Sequence, residues 1–226
     1  MTDSGLLIVG MLLSLALLME TFGAYMRAVG AYFDKPALGY SSHVRVATLG
    51  RFFILISSPI IGYFTDVYQD AKIIFFIGIV AFLSYLILSL IMFFLIGIKS
   101  YIKVFSMLNG GANPVKTENF NITLKFKINK LYVASFIAFI ITSTGIIVVN
   151  SLASIFSEYR ATIVQMSAIV TTFGTLVHIF LVDPILSKAS DTNFEESFDS
   201  IQQHVSARIA ASFCILIIFS AVYINS

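Results

Sequence analysis

Six stretches of the 226-residue chain stay apolar long enough to cross a bilayer as an α-helix, near 6–30, 40–63, 73–97, 131–156, 161–182 and 205–224. A spanning helix needs about 20 such residues, whereas a barrel strand has about ten and alternates apolar with polar. The pattern predicts an all-α, polytopic membrane protein whose six transmembrane helices form one domain over residues 1–226. Punctuation agrees, with Pro36 before the second run and Pro184 after the fifth. Pro59 lies inside the second run, beside Ser57, Ser58 and Gly62, and predicts a kink where the carbonyl of Leu55 loses its donor. Trp is absent, and Tyr32, Tyr40, Tyr63, Tyr68, Tyr101, Tyr132, Tyr159 and Tyr223 fall at run ends as an interfacial belt. The first run is expected to remain as a helix, because Asp3 stands where a secretory signal has a basic start and Glu20 and Arg27 occupy its cleavage region.

With 58% hydrophobic and only 12% charged residues, the chain could not clothe a water-facing surface. A net charge of +2 gives no argument for nucleic acid, and the single Cys214 excludes a disulfide framework or a cysteine metal cluster. No phosphate loop, HExxH or GxSxG occurs, so no cofactor, metal or enzymatic activity is expected.

Six spans place both termini on one side. Loop 98–130 carries Lys99, Lys103, Lys116, Lys125, Lys127 and Lys130 against Glu118, while the opposite short loops offer only Lys72 and Arg160. Basic loops remain inside, so the lysine-rich side is expected in the cytoplasm and both termini on the outer face. Thr192 and Glu195 read as a capping box, with Phe194, Phe198, Ile201 and Val205 following at helical spacing. This predicts an interfacial segment at 192–204, or a plain extension of helix six. The alternation from Lys125 to Lys130 suits an anchor for helix four, or contact with anionic headgroups. Asn121-Ile-Thr123 matches a glycosylation sequon in the predicted cytoplasmic loop, where it reads as chance.

The chemistry lies in the arginines. Four of five (Arg27, Arg45, Arg51, Arg208) fall inside predicted spans, and all nine lysines fall outside. An arginine at mid-bilayer costs at least about 2.5–3.5 kcal/mol, so each needs a partner or water. Its planar fork of donors grips phosphate or carboxylate through two bonds. Arg27, Arg45, Arg208, His43, His178 and His204 fall toward the cytoplasmic half, which predicts a cavity open to that side; snorkelling to the interface is the alternative for Arg27, Arg45 and Arg208. Glu20 and Arg27 share a helix face with Gly23, Ala24, Gly30 and Ala31, predicting an open groove. Glu20 and Arg51 fall at similar depth and are expected to pair. His178 is placed either to gate a proton or to bond a neighbour.

Met19-Glu20-Thr21 followed by Arg27 and Gly30, then Arg51, then Pro59-x-x-Gly62-x-x-x-Asp66, resembles the first two helices of the Amj family of bacterial lipid II flippases, the alternate to the MurJ flippase. Asp183-Pro184, Ser187, Asp191 and Ser206-Ala207-Arg208 are similar to that family's last loop and helix. Between Lys72 and Leu181 no motif carries the likeness, and Arg45 has no counterpart. The resemblance implies a multi-pass protein of the bacterial inner membrane that moves lipid II, the undecaprenyl-pyrophosphate-linked peptidoglycan precursor, from inner to outer leaflet. Lipid II and membrane lipids would be its partners. Read from the residues themselves, arginines at staggered depths (Arg27, Arg45, Arg51, Arg208) with Glu20 would form the substrate track, and His178, Pro59, Asp66 and Asp183 are candidates for a proton or hinge role. The residues alone also admit an intramembrane polyprenyl-pyrophosphate phosphatase, a small-anion transporter or a structural subunit. A three-plus-three arrangement permits an inverted repeat, although the halves share no sequence similarity.

Overall fold

The computed structural model describes residues 3–95, 98–111 and 127–225. These form α1 (Asp3–Tyr32), α2 (Pro36–Tyr68), α3 (Ala71–Leu95), a short α4 (Ile98–Leu108), α5 (Lys130–Ile155), α6 (Arg160–Val177), α7 (Asp183–Thr192) and α8 (Phe194–Asn225). A 3₁₀ turn at Ser157–Tyr159 leads into α6, and a π-helical turn at His178–Val182 joins α6 to α7. Six helical spans, with 157–192 counted as one, are long and apolar enough to cross a membrane. The described residues are thus all-helical, those of a multi-pass membrane protein. Lys116, Glu118, Lys125 and the Asn121 sequon lie outside the described residues.

The α1–α2 turn, α4, the start of α5 and the α7–α8 break share one end of the bundle, here the lysine end. The chain termini and the turns at 69–70 and 156–159 share the other, the terminal end. Helix α1 is central and packs on α2, α3 and α8, whereas α6 leans almost wholly on α5. In hydrocarbon, burial of one apolar helix against another gains little over lipid, so close backbone approach matters more. A Cβ on Gly30 would come within 2.4 Å of Gly39 Cα, so the α1–α2 hairpin closes only with glycine there. Asp34 makes the turn in the left-handed region (φ 54), and Pro36 then opens α2, where its missing N–H costs nothing.

Buried side chains form two clusters. Tyr25, Met26, Tyr101, Phe105, Phe198 and Ile201 fill the lysine end, and Ile61, Phe64, Ile77, Phe82, Phe139 and Phe219 the other.

The structure departs from the sequence reading at three places. Loop 98–130 begins with a helix, because Tyr101, Ile102 and Phe105 recur on one face and bury there while Lys99 and Lys103 remain exposed. Pro184 does not end the fifth span. Asp183 N–H reaches back five residues to His178 O, and this wider turn lets the helix continue to Thr192 despite the missing Pro184 donor. The cap of α8 is Asn193, whose Oδ1 accepts from Glu196 N–H (2.8 Å), rather than Thr192, whose hydroxyl donates to Lys188 O. Of the two readings of 192–204 the plain extension holds: residues 194–204 belong to α8, with Phe198, Ile201 and Val205 buried in the core instead of lying along a membrane surface. Helix α2 runs unbroken through Pro59.

Candidate functional site

Helix α1 presents Thr21, Tyr25, Arg27 and Ala28 to the bundle interior, all buried. The predicted groove along its Glu20–Arg27 face is filled: Gly23 lies against His43, where a Cβ would come within 3.1 Å of the ring, and Gly30 against Gly39. Small residues here serve close helix contact.

Two ion pairs cross the interior. Arg27 Nη2 donates to Asp183 Oδ1 at 2.6 Å, and the guanidinium lies over the Tyr40 ring, 4.9 Å from its centroid. Arg208 Nη2 donates to Glu20 Oε2 at 2.9 Å and to Leu17 O at 3.4 Å, with the guanidinium 4.7 Å from the Phe139 centroid. Arg27 is 3% exposed and Arg208 5%, so neither guanidinium opens to a water-filled cavity in this arrangement. Arg27 Nε and Nη1 and Arg208 Nε are buried without an acceptor. An orphaned buried donor costs about 1–3 kcal/mol, more on a charged group.

Histidines connect the two pairs. His178 Nδ1 is 3.6 Å from Asp183 Oδ1, and its ring stands edge-on to His204, 5.5 Å between centroids. His204 Nδ1 and Ser135 Oγ are 2.8 Å apart, and His204 lies within electrostatic reach of Arg208, Arg27 and His43. Beside Arg208, the Tyr85 hydroxyl shares a hydrogen bond with Thr21 Oγ1 (2.9 Å). His178 and Asp183 are about a quarter exposed and Glu20 about a third, so the network touches the surroundings through these groups. Nearby, the Tyr101 ring packs tilted against Tyr25 (4.7 Å between centroids), and burial raises the Tyr101 phenol above its ordinary range.

The other sequence candidates lie elsewhere. Glu20 pairs with Arg208 and not Arg51, which is exposed on α2 and has no hydrogen bond or ion pair among the described residues. Depth alone matched Glu20 to Arg51; the helix faces put α8 within reach of Glu20 and turn Arg51 away from α1. Arg45 is exposed and donates to Leu108 O at 2.7 Å, so it caps the C-terminus of α4, apart from the Arg27 and Arg208 pairs. Asp66 pairs with Arg160 (3.0 Å) at the terminal end, joining α2 to α6. Pro59 is exposed within α2. The sequence reading missed Tyr40, Ser135, Tyr85 and Arg160 as partners; aromatic and hydroxyl residues in apolar helices give little signal that they face a charge.

Among the described residues no group of three or more His, Cys, Asp or Glu is placed to hold a metal ion. A cleft of about 460 Å³ opens at the lysine end between Asn129, Asn193, Glu195, Glu196, Asp199 and Gln203. Comparisons with family models, curated proteins and solved structures returned no match.

Proposed function

We propose that this protein carries lipid II, or a closely similar polyisoprenyl-pyrophosphate lipid, from the inner to the outer leaflet of the bacterial cell membrane. One observation carries the reading: two buried guanidinium groups, each held by one carboxylate, together keep three nitrogen positions without an acceptor. A diphosphate presents several acceptor oxygens and fits such donors better than a lone carboxylate. The tail of the lipid can stay in the bilayer, while its head needs cationic, polar passage. Asp183 and Glu20 compete with the headgroup for Arg27 and Arg208, and that competition lets it leave.

The arrangement described above is then the closed one, with both carboxylates in place. Opening requires α7 and α8 to move relative to α1, and the extended residue Asn193 between α7 and α8 gives a joint for it. The sequence resemblance to the Amj family supports the substrate class. The lysine end faces the cytoplasm in this reading, with both termini outside, so a Gly110→Cys variant reacts with impermeant reagent only from the cytoplasmic side and Gln69→Cys only from outside.

The deciding test is growth of a bacterial strain deprived of its other lipid II flippase. The wild-type chain is expected to restore growth, while Arg27→Ala, Arg208→Ala and Glu20→Ala insert normally and do not. Failure of the wild type in that strain, or full activity of Arg208→Ala, would overturn the reading.

A further inference from the structure

A second row, polar except at Ala47, runs along α2 on the flank of its contact with α1. Tyr40, Ala47, Arg51, Ser58 and Thr65 follow at spacings of seven or four residues, which keeps them on one helix face. Contacts fix the direction of that face at both ends. At the lysine end Tyr40 lies under Arg27, which pairs with Asp183 beside His178. At the terminal end Thr65 Oγ1 donates to Asn150 Oδ1 on α5 (3.2 Å), and the adjacent Asp66 pairs with Arg160 on α6.

Helix α6 carries a matching row. Arg160, Ser167, Thr171 and His178 are spaced seven, four and seven on one face, which meets α2 directly where Arg160 pairs with Asp66, is linked to it at the lysine end by way of Asp183 and Arg27 of α1, and leans on α5 where Thr171 lies beside Gly145. On α5, Ser143 lies two turns before Asn150 on the same side. Yet α2 and α6 make no substantial contact along their lengths. Arg51 and Ser58 are exposed, Ser143, Ser167 and Thr171 are half-exposed, and a methyl at Gly62 would meet nothing within 4 Å. Two helices tied directly at the terminal end, linked through α1 at the lysine end and parted between, with half-exposed or exposed polar rows on either side of α5, leave a groove that opens sideways into the bilayer.

Arg51 gives the groove its chemistry. It lies 15 residues from the start of α2 (36 to 51) and 17 from its end (51 to 68), about 22–25 Å along the axis from either end and too deep to snorkel. The serine and threonine hydroxyls nearby donate to their own helix carbonyls, Thr171 to Ser167 O and Ser143 to Phe139 O, so they keep oxygen lone pairs for water. A permanent cation there needs hydration or an anion.

Resting on the carrier reading above, we infer that this groove is the route of the headgroup: the diphosphate slides along it with its tail outside in the lipid, Arg51 is the midway station, and the pairs Arg27–Asp183 and Asp66–Arg160 close its two ends in turn.

The test uses the full chain in proteoliposomes with Cys214, which is exposed on α8, replaced by Ser. Ser58→Cys and Thr171→Cys are near-isosteric; Ile56→Cys and Phe173→Cys on exposed faces of the same helices serve as lipid-facing controls. Thiols react as thiolates and so need water, hence a hydrophilic thiosulfonate should modify the groove positions at least about tenfold faster than the controls. Equal rates would overturn the groove whatever the protein transports. Fluorescent lipid II should slow modification of Thr171→Cys, and inorganic pyrophosphate at equal concentration should not; equal protection by pyrophosphate would replace the lipid headgroup by a free anion and overturn the route. In a flipping assay with the same lipid, Arg51→Gln and Ser58→Trp should lose at least about tenfold in rate and Ile56→Trp should not. Wild-type rates in Arg51→Gln and Ser58→Trp would sink the route and leave the carrier reading intact. A wild-type protein that labels as expected but moves no lipid II would sink the carrier reading, and the headgroup assignment with it.

Discussion

Glu20 on α1 and Arg208 on α8, 188 positions apart in the chain, meet at 2.9 Å and tie the first transmembrane helix to the last. Arg208 is almost wholly buried and Glu20 about one-third exposed. Removing one partner of a fully buried pair costs about 3–5 kcal/mol, and the partial exposure of Glu20 reduces that to about 2 kcal/mol here. Glu20→Ala and Arg208→Ala are each expected to lower thermal stability in detergent. The double variant should lose less than the sum, because no unpaired charge is left behind. Strict additivity in that cycle would show that the contact carries no coupling.

Two glycines make opposite predictions. Gly30 faces the Gly39 backbone, so Gly30→Val is expected to cost more than about 3 kcal/mol or to prevent folding of the hairpin. Gly62 faces open space within α2, where Ala is a better helix former by about 0.5–1 kcal/mol, so Gly62→Ala should be neutral or stabilising. The comparison is read from melting of the two variants. A hinge role for Gly62 would instead show as lost transport at unchanged stability.

The spans were legible because the bilayer imposes one length and one polarity on them. Arg27 and Arg208 were legible as buried because arginine in an apolar run has few exits. What could not be read was partnership. Glu20 and Arg51 match in depth, yet a helix turns 100° per residue, and which face looks at which neighbour is set by contacts such as Gly30 on Gly39 that only the assembled bundle reveals. Helix α4 went unread because its apolar residues, Tyr101, Ile102 and Phe105, lie among lysines that had already been assigned to topology. Arg160, dismissed as a loop charge, proves to be the partner of Asp66.

Arg45 provides a third prediction. It donates to Leu108 O, and Asn109 Nδ2 adds a bond to Ser42 Oγ (2.8 Å), so α2 holds the C-terminus of α4 through two polar contacts. The Arg45 bond is exposed and worth about 0.5–1 kcal/mol, including its favourable placement at a helix C-terminus. Arg45→Ala should leave the global melt nearly unchanged while raising amide exchange across 99–108. Phe105→Ala, which empties a buried aromatic site, should lower the global melt by about 3–5 kcal/mol. If Arg45→Ala abolished transport without loosening α4, the capping role would be insufficient and a place for Arg45 on the headgroup route would return.

The pair Arg27–Asp183 separates stability from ligand affinity. Asp183→Asn takes the carboxylate from a guanidinium that is 3% exposed, so stability should fall by about 3 kcal/mol. The same change removes the internal competitor for Arg27, and binding of lipid II should tighten while its release and net transport slow. Arg27→Lys keeps the charge but loses the planar stack over Tyr40 and the two orphaned donor positions. It is expected to cost about 1–2 kcal/mol and to weaken lipid II binding at the same time. Melting curves recorded with and without lipid II measure both quantities, since a ligand that binds the folded state raises its melting temperature by an amount that grows with the logarithm of its affinity. Opposite signs for Asp183→Asn, less stable alone but more strongly stabilised by ligand, would identify the carboxylate as a stand-in for phosphate. A loss of both would leave the pair as a structural tie between α1 and α7.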